Sequence, residues 1–471
     1  MRQYFDAKRQ YRTALLFFRM GDFYEMFYED ALVASRALEL TLTSRTKDAS
    51  GTAVPMCGVP FHAADTYIGR LVRKGYRVAI CEQVEDPRKA KGLVKREVVR
   101  VVSPGTLTDA SYLDAREPAF LMSVVAVKDA GYGAALVDIS TGEFSVAEYA
   151  GRDGAQALRD EIAVLRPREV IVASGHDLRA SIPEIADRGI AVTEIDGWHF
   201  ELETARQTLL DQLRVSSLEG FGLEGRQPAV CAAGALLRHL RDTQKADLAH
   251  VRTVRVKEAA DSLIIDPTTL EHLEIVEAAK GGRQGSLLHE IDRTATAMGG
   301  RLLRAWLLRP LVSIEAIRDR LDAVEEMAFR TTDRGKLRET LKTVQDLERL
   351  TSRVALATAG PRDLVGLRQS LAAVPRACAL LAGCQAPLVK SLLGELDEMS
   401  DVREWIESAI QDEPPALARD GGFVRDGVDK EIDELRHISR SGKQVIAELE
   451  EQERARTGIG SLKVRFNRVF G

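Results

Sequence analysis

The sequence predicts a multidomain fold in which two mixed α/β domains are followed by an all-α region. Three observations lead there. The 471 residues exceed what one hydrophobic core organises, since domains of roughly 50–200 residues are usual. Strand-length apolar runs alternate with helically spaced ones as far as residue 252, and past residue 260 the strand signals stop. Hydrophobic residues make up 45% of the chain and charged residues 29%, a balance that suits packed globular domains and excludes disordered or fibrous classes.

The first domain, residues 1–106, carries a strand-length run at 14–20 and then Gly21-Asp22, a turn in which Asp22 is a candidate helix N-cap. From Tyr24 onward, Phe27, Ala31, Ala34 and Leu38 recur at helical spacing and predict a helix. Strand-like runs at 77–81 and 98–102 end on Ser103-Pro104-Gly105-Thr106, a turn that closes the domain before a linker at 107–118. The second domain, 119–252, reads as strands at 120–127, 132–139 and 144–147, a helix at 155–165 and a strand at 169–173. The third, 253–430, is helical. Asp266-Pro267, Ser313 and Gly360-Pro361 each precede apolar residues on one helical face. Residues 431–471 begin as a long charged helix with a thin stripe of Ile432, Leu435 and Leu449. They end on an alternating, strand-like segment that would lack a partner, which suggests a piece of a longer protein.

No run of about 18 apolar residues occurs, so neither a membrane span nor a membrane partner is expected. The N-terminus lacks the apolar stretch of a signal peptide. Five scattered cysteines without a Cys-x-x-Cys pair fit reduced thiols and a cytoplasmic location better than disulfides or zinc. The net charge of −5 is unevenly spread: residues 1–106 hold 18 Lys+Arg against 12 Asp+Glu, and 12 of the 26 aromatic residues lie between Tyr4 and Tyr76. A basic, aromatic-rich head on an acidic body suits a polyanion such as nucleic acid.

The segment Gly21-Asp22-Phe23-Tyr24-Glu25-Met26-Phe27 resembles the Gly-Asp-Phe-Tyr-Glu signature of the MutS family of mismatch sensors. The likeness continues through Val54–Ala63, Val78–Gln83, Val137–Gly142, Leu263–Asp266, Met298–Leu303, Asp420–Gly422 and Leu462–Val464, in the family's order and across nearly the whole chain. One departure is Ser103 where the family has threonine, a change that keeps the hydroxyl. The resemblance implies a mismatch-binding domain, a ribonuclease-H-like connector, a helical core and lever, and the beginning of a truncated clamp. It also implies mismatched or looped double-stranded DNA as ligand, a nucleoid-associated place in the bacterial cytoplasm, homodimers at full length and downstream repair factors such as MutL.

A mismatch differs from paired duplex chiefly in stacking and stiffness, so a sensor needs something flat and apolar to press into the helix. Phenylalanine serves, because inserting it costs a few kcal/mol of unstacking, least where pairing is already poor. A carboxylate nearby can accept a hydrogen bond from an exposed base N–H while repelling phosphates of intact duplex. The family's Phe-x-Glu pair falls on Phe23 and Glu25. Residue spacing alone better suits a core Phe23 stacked on Phe27 and a Glu25 in the first turn of a helix. Arg45, Met56 and His62 match segments that flank the bent duplex, Arg45 as a phosphate contact, and Asn467 matches a clamp position near the backbone. The first three have plainer alternatives: a solvated arginine, a core methionine, a hydrogen-bonded histidine.

The family's ATPase would need ATP, Mg²⁺ and a phosphate loop. The nearest string, Ser441-Gly442-Lys443-Gln444, has His437 in place of the first glycine and no hydroxyl at 444. This sequence is therefore expected to need no cofactor of its own and not to hydrolyse ATP. Two rivals stand beside mismatch recognition. A metal-dependent nuclease would need converging carboxylates, and Asp138 is the only acid on its predicted strand. A helical scaffold or a remnant without independent repair activity is the other.

Overall fold

The alternation of the apolar residues between 15 and 27 builds the first sheet. The computed structural model describes the chain except residues 45–46, 48–50, 86–93, 176–181, 183–184, 186–187, 259–261 and 464–471, and the side chains of 440–445. Helix α1 (Arg2–Gln10) leads into β1 (Leu15–Met20), β2 (Phe23–Phe27) and helix α2 (Tyr28–Leu38). Then come β3 (Met56–Pro60), helix α3 (Ala64–Arg73), β4 (Val78–Gln83) and β5 (Arg96–Val102). The sheet runs β3-β2-β1-β4-β5, with β1 and β4 parallel and the other pairs antiparallel. Helices α2 and α3 cover one face, where Phe17, Tyr24, Met26, Ala34 and Leu71 pack together. On the other face α1 inserts Tyr4, whose ring meets Phe18 and Phe27 edge-on at 5.7 and 5.2 Å, a geometry favoured by the ring quadrupoles.

The helix expected from Tyr24 starts at Tyr28 instead, and residues 23–27 form a strand. Gly21 and Asp22 are the two loop residues of a hairpin in which Met20 pairs with Phe23. Gly21 has φ +59°, the left-handed conformation that the first position of a tight hairpin turn demands and that glycine alone adopts without strain. Asp22 is consequently no helix cap. Its carbonyl accepts the Phe61 N–H at 2.9 Å.

The second sheet contains β6 (Leu121–Val127), β7 (Gly131–Asp138), β8 (Glu143–Tyr149), β9 (Glu169–Ala173), β10 (Ala191–Ile195) and β11 (Arg255–Val256), in the order β10-β9-β6-β7-β8-β11. An antiparallel meander, β6–β8, is thus extended by β9 and β10 parallel to β6, in keeping with a ribonuclease-H-like connector. Helix α4 (Gly154–Leu165) covers one face, and α5 (Leu202–Leu213) and α6 (Gln227–Gln244) cover the other. Ser103 keeps the role a threonine would have, bonding Thr106 through its hydroxyl at 2.9 Å.

Between the sheets, residues 109–118 are held by arginines that come from the helical region. Arg349, 4% exposed, donates to the Asp114 and Glu117 carbonyls at 2.9 and 2.8 Å and to Ser140 Oγ at 3.2 Å. Arg301 donates to the Ala115 carbonyl at 2.7 Å and pairs with Asp346 and Glu348. Arg116 of the linker reaches Asp292 and Thr294 in return. Guanidinium groups suit this task because five fixed N–H donors can satisfy several carbonyls at once.

Two compact units divide the chain, one of residues 1–359 and 373–396, the other of 360–372 and 397–471. The first contains helix Ile314–Phe329, capped by the Ser313 hydroxyl, and helix Pro267–His272, capped by Asp266. The apolar residues Ile314, Leu321 and Val324 predicted on one face of the former are exposed. In the second unit Val365, Ile406 and Ile410 form a small core, and Asp429 caps the charged helix Lys430–Thr457. Among the described residues one stretch, Pro361–Leu381, has the length and apolarity to cross a membrane. It is two helices, Pro361–Leu371 and Val374–Leu381, and Arg368 in it pairs with Asp412 at 2.8 Å.

His239 on α6 is wholly enclosed, and burial pushes its pKa down to about 3, helped by Arg77 and His199 and opposed by Asp242. Burial lowers His199 and His250 as well. A histidine that is neutral when folded and free to charge when unfolded stabilises the fold above its unfolded pKa of about 6.5, and that stability is lost as pH falls below it. Urea unfolding followed by far-UV circular dichroism is therefore expected to show ~2 kcal/mol less stability at pH 5 than at pH 7 from His239 alone. His239→Gln should flatten that dependence.

Candidate nucleic-acid interface

Side chains two apart on a strand share a face, so the hairpin sets Phe23 and Glu25 side by side and turns Tyr24 and Met26 to the opposite, helix-covered face. Phe23 is 47% exposed at the sheet's end and Met20, its cross-strand partner, 41%. Glu25, 9% exposed, lies two pairs further in, opposite Phe18 on β1 and Gly58 on β3. A Cβ at Gly58 would stand 3.3 Å from the Tyr24 carbonyl oxygen, 3.6 Å from Glu25 Cγ and 3.9 Å from Phe23 Cδ1. Glycine thus leaves clear the ground on which both side chains stand.

The tip is braced from behind. Arg19 lays its guanidinium over the Phe61 ring at 3.7 Å, donates to the Gly21 carbonyl at 2.5 Å and pairs with Glu82 at 3.7 Å. Tyr24 donates its hydroxyl to Glu82. Burial, and then that carboxylate, hold the phenol well above its usual pKa, so it stays a donor. Arg96 donates to the Arg19 carbonyl at 2.7 Å and lies 5.5 Å from the Phe18 ring centre. An exposed aromatic ring on a rigid hairpin can be pressed against a flat partner without the mount yielding.

Of the other expected contacts, His62 joins the tip. It is exposed in the turn Phe61–Ala63, directly after Pro60, the residue paired with Phe23. Met56 does not join. It pairs with Phe27 at the other end of β3, about 13 Å away at ~3.3 Å per residue, and is buried beside Phe18 and Phe27. Its side chain belongs to the core because β3 enters the sheet there under α1. Arg45 and Asn467 lie outside the described residues. Gly58 was not among the expected residues, although it stands in one of the matching segments. No spacing rule distinguishes a glycine that clears a site from one in a turn.

In the second sheet Asp138 is fully buried and engaged by the Ala119 and Ser140 N–H groups, each at 2.9 Å, and by Ser140 Oγ at 2.6 Å. Its carboxylate fixes the turn after β7, which disfavours the nuclease reading.

Comparison with known proteins agrees with this layout. Residues 1–111 match the family description MutS domain I, 119–252 match MutS domain II and 268–463 match MutS domain III. The DNA mismatch repair protein MutS of Symbiobacterium thermophilum is 46% identical over 471 residues, all of this chain and 54% of its own length. The proteins of the same name from Solibacter usitatus and Myxococcus xanthus are 47% and 45% identical, again over the whole chain and 54% and 52% of theirs. The chain belongs to the MutS family. It spans about half the length of these curated relatives.

Because Phe23 is exposed and Phe27 buried, the two phenylalanines should respond oppositely to truncation. Phe23→Ala is expected to change unfolding free energy by less than ~0.5 kcal/mol, whereas Phe27→Ala costs ~3–5 kcal/mol. Chemical denaturation of both variants checks this.

Proposed function

We propose that this chain recognises mispaired or looped double-stranded DNA for mismatch repair, using Phe23 as a wedge and Glu25 as the acceptor beside it. The observation that carries the reading is the half-exposed Phe23 ring beside Glu25 over Gly58, on a braced hairpin. Stacking on a base returns ~1–3 kcal/mol whatever the base, so the ring gains where the duplex yields and not where it resists. Glu25 sits deeper than Phe23 and meets only a base that has already shifted. His62 and Arg45 serve as flanking contacts, Arg45 to phosphate, and Asn467 as a backbone contact of the clamp. The names of the relatives and the family resemblance support the same reading. The family resemblance alone also implies a homodimer, MutL as a later partner and a cytoplasmic setting. Recognition of this kind asks for neither nucleotide nor metal from these residues.

Competition between a duplex with one mismatch and its matched twin, at two salt concentrations, tests the roles separately. Phe23→Ala is expected to lose the preference for the mismatch, worth ~1–3 kcal/mol. Glu25→Ala should bind matched duplex more tightly and discriminate less. Arg45→Ala should weaken both duplexes alike and reduce the salt slope by about one, as for one lost phosphate contact. Full mismatch preference in Phe23→Ala would refute the wedge.

A further inference from the structure

At the end of the first domain remote from Phe23, a cleft of about 610 Å³ opens between the first sheet's domain and the connector. That volume falls within the range of small-molecule sites. Arg73 and Lys74 enter it from the end of α3, Arg166 and Arg168 from the loop between α4 and β9, and Arg188 from the turn before β10. Among the described residues no carboxylate lines it. The floor is apolar and firm, with Pro104, Pro167 and Ile190, and with the Tyr112 ring beneath the Arg73 guanidinium at 5.2 Å.

Among the described residues two acids outside the lining answer part of this charge, and Arg188 is engaged as well. Glu117 pairs with Arg168 at 3.4 Å and Glu277 pairs with Arg166. Lys74 donates to the Ala37 carbonyl at 2.7 Å, which holds its ammonium in place without neutralising it. Burial first, and then Arg166, Arg168 and Arg283, hold the Arg304 pKa below its usual value despite Glu117.

We propose that this cleft is a binding site for a small anion carrying linked phosphate groups. Four of its five cations are arginines, whose planar forks bind phosphate oxygens in pairs. They converge from three segments on an open hollow, so that several phosphates are met at once. A long carboxylate chain would satisfy the charge but not the tetrahedral spacing of oxygens. The site is independent of the mismatch reading, since neither Phe23 nor Glu25 takes part.

The test is calorimetric titration of sodium tripolyphosphate into the full chain, with ATP as a second probe and hexaglutamate as a third. Tripolyphosphate and ATP are expected to saturate one site with affinities within threefold of each other, and hexaglutamate to bind at least tenfold more weakly. Arg73→Glu combined with Arg188→Glu should weaken tripolyphosphate at least tenfold. Lys336→Glu with Arg338→Glu, the same charge change on exposed positions of another helix, should leave it within twofold. Circular dichroism melting checks that both variants fold. Should the first pair melt early, Arg168→Gln and Arg188→Gln provide the milder comparison. Equal loss in the two charge-reversed pairs, no saturation by millimolar tripolyphosphate, or hexaglutamate binding as tightly as tripolyphosphate would each overturn the proposal. So would release of tripolyphosphate by matched duplex DNA at stoichiometric concentration, because the cleft would then belong to a nucleic-acid path.

Discussion

The register of the hairpin at Gly21-Asp22 is the constraint on which the exposed end of the first sheet depends. Side chains on a strand alternate with a period of two, so a slip of one residue would carry Phe23 and Glu25 to the helix-covered face and bring Tyr24 and Met26 out. Slippage is opposed on every side. The left-handed Gly21 fixes a two-residue loop. Tyr24 is tied to Glu82, and Phe27 is locked between Tyr4 and the sheet. The Tyr24 tie lies on the helix-covered face and the Phe27 contact at the far, α1-covered end of the other face, which leaves the Phe23 end exposed.

The two faces of this one sheet differ in how far they are covered. The face under α2 and α3 is a continuous core and carries nothing that could meet a ligand. The opposite face is covered by α1 only toward Phe27 and Met56, and it opens toward Phe23 and Met20. Burial therefore grades along a single strand, from an exposed aromatic ring through a nearly buried carboxylate to a core phenylalanine. Such a gradient lets one five-residue strand anchor itself at one end and present a tool at the other.

Much of this was legible in the residues. The connector strands, the capping roles of Asp266 and Ser313, and the exposed charged helix follow from local patterns, and the structure reproduces them. The strand at 23–27 reads as helix because Ala31, Ala34 and Leu38 truly are helical and Phe27 keeps their spacing, while the short run before them has no period of its own. What decided it was pairing with β1 and β3, which no local window contains. The pairing of Phe23 with Glu25 on one face came from family likeness and gains its physical reason only on a strand. Met56 was legible as apolar, but whether it faced ligand or core depended on where α1 crosses. The arginines that grip the linker were illegible altogether, since Arg349 reaches carbonyls more than 230 residues away.

Those arginines bear on how the protein could be dissected. Residues 109–118 have the look of a tether in the sequence, yet Arg349, Arg301 and Arg116 weave them into the seam of the helical region. Cutting there would strand two guanidinium groups in a dry interior and strip the connector's Ser140 turn of its companion. The first domain, as a head, and the helices that grip its linker are better regarded as soldered than as hinged at this point. A recombined protein that borrows a head from one relative must take its linker from the relative that supplies the helices.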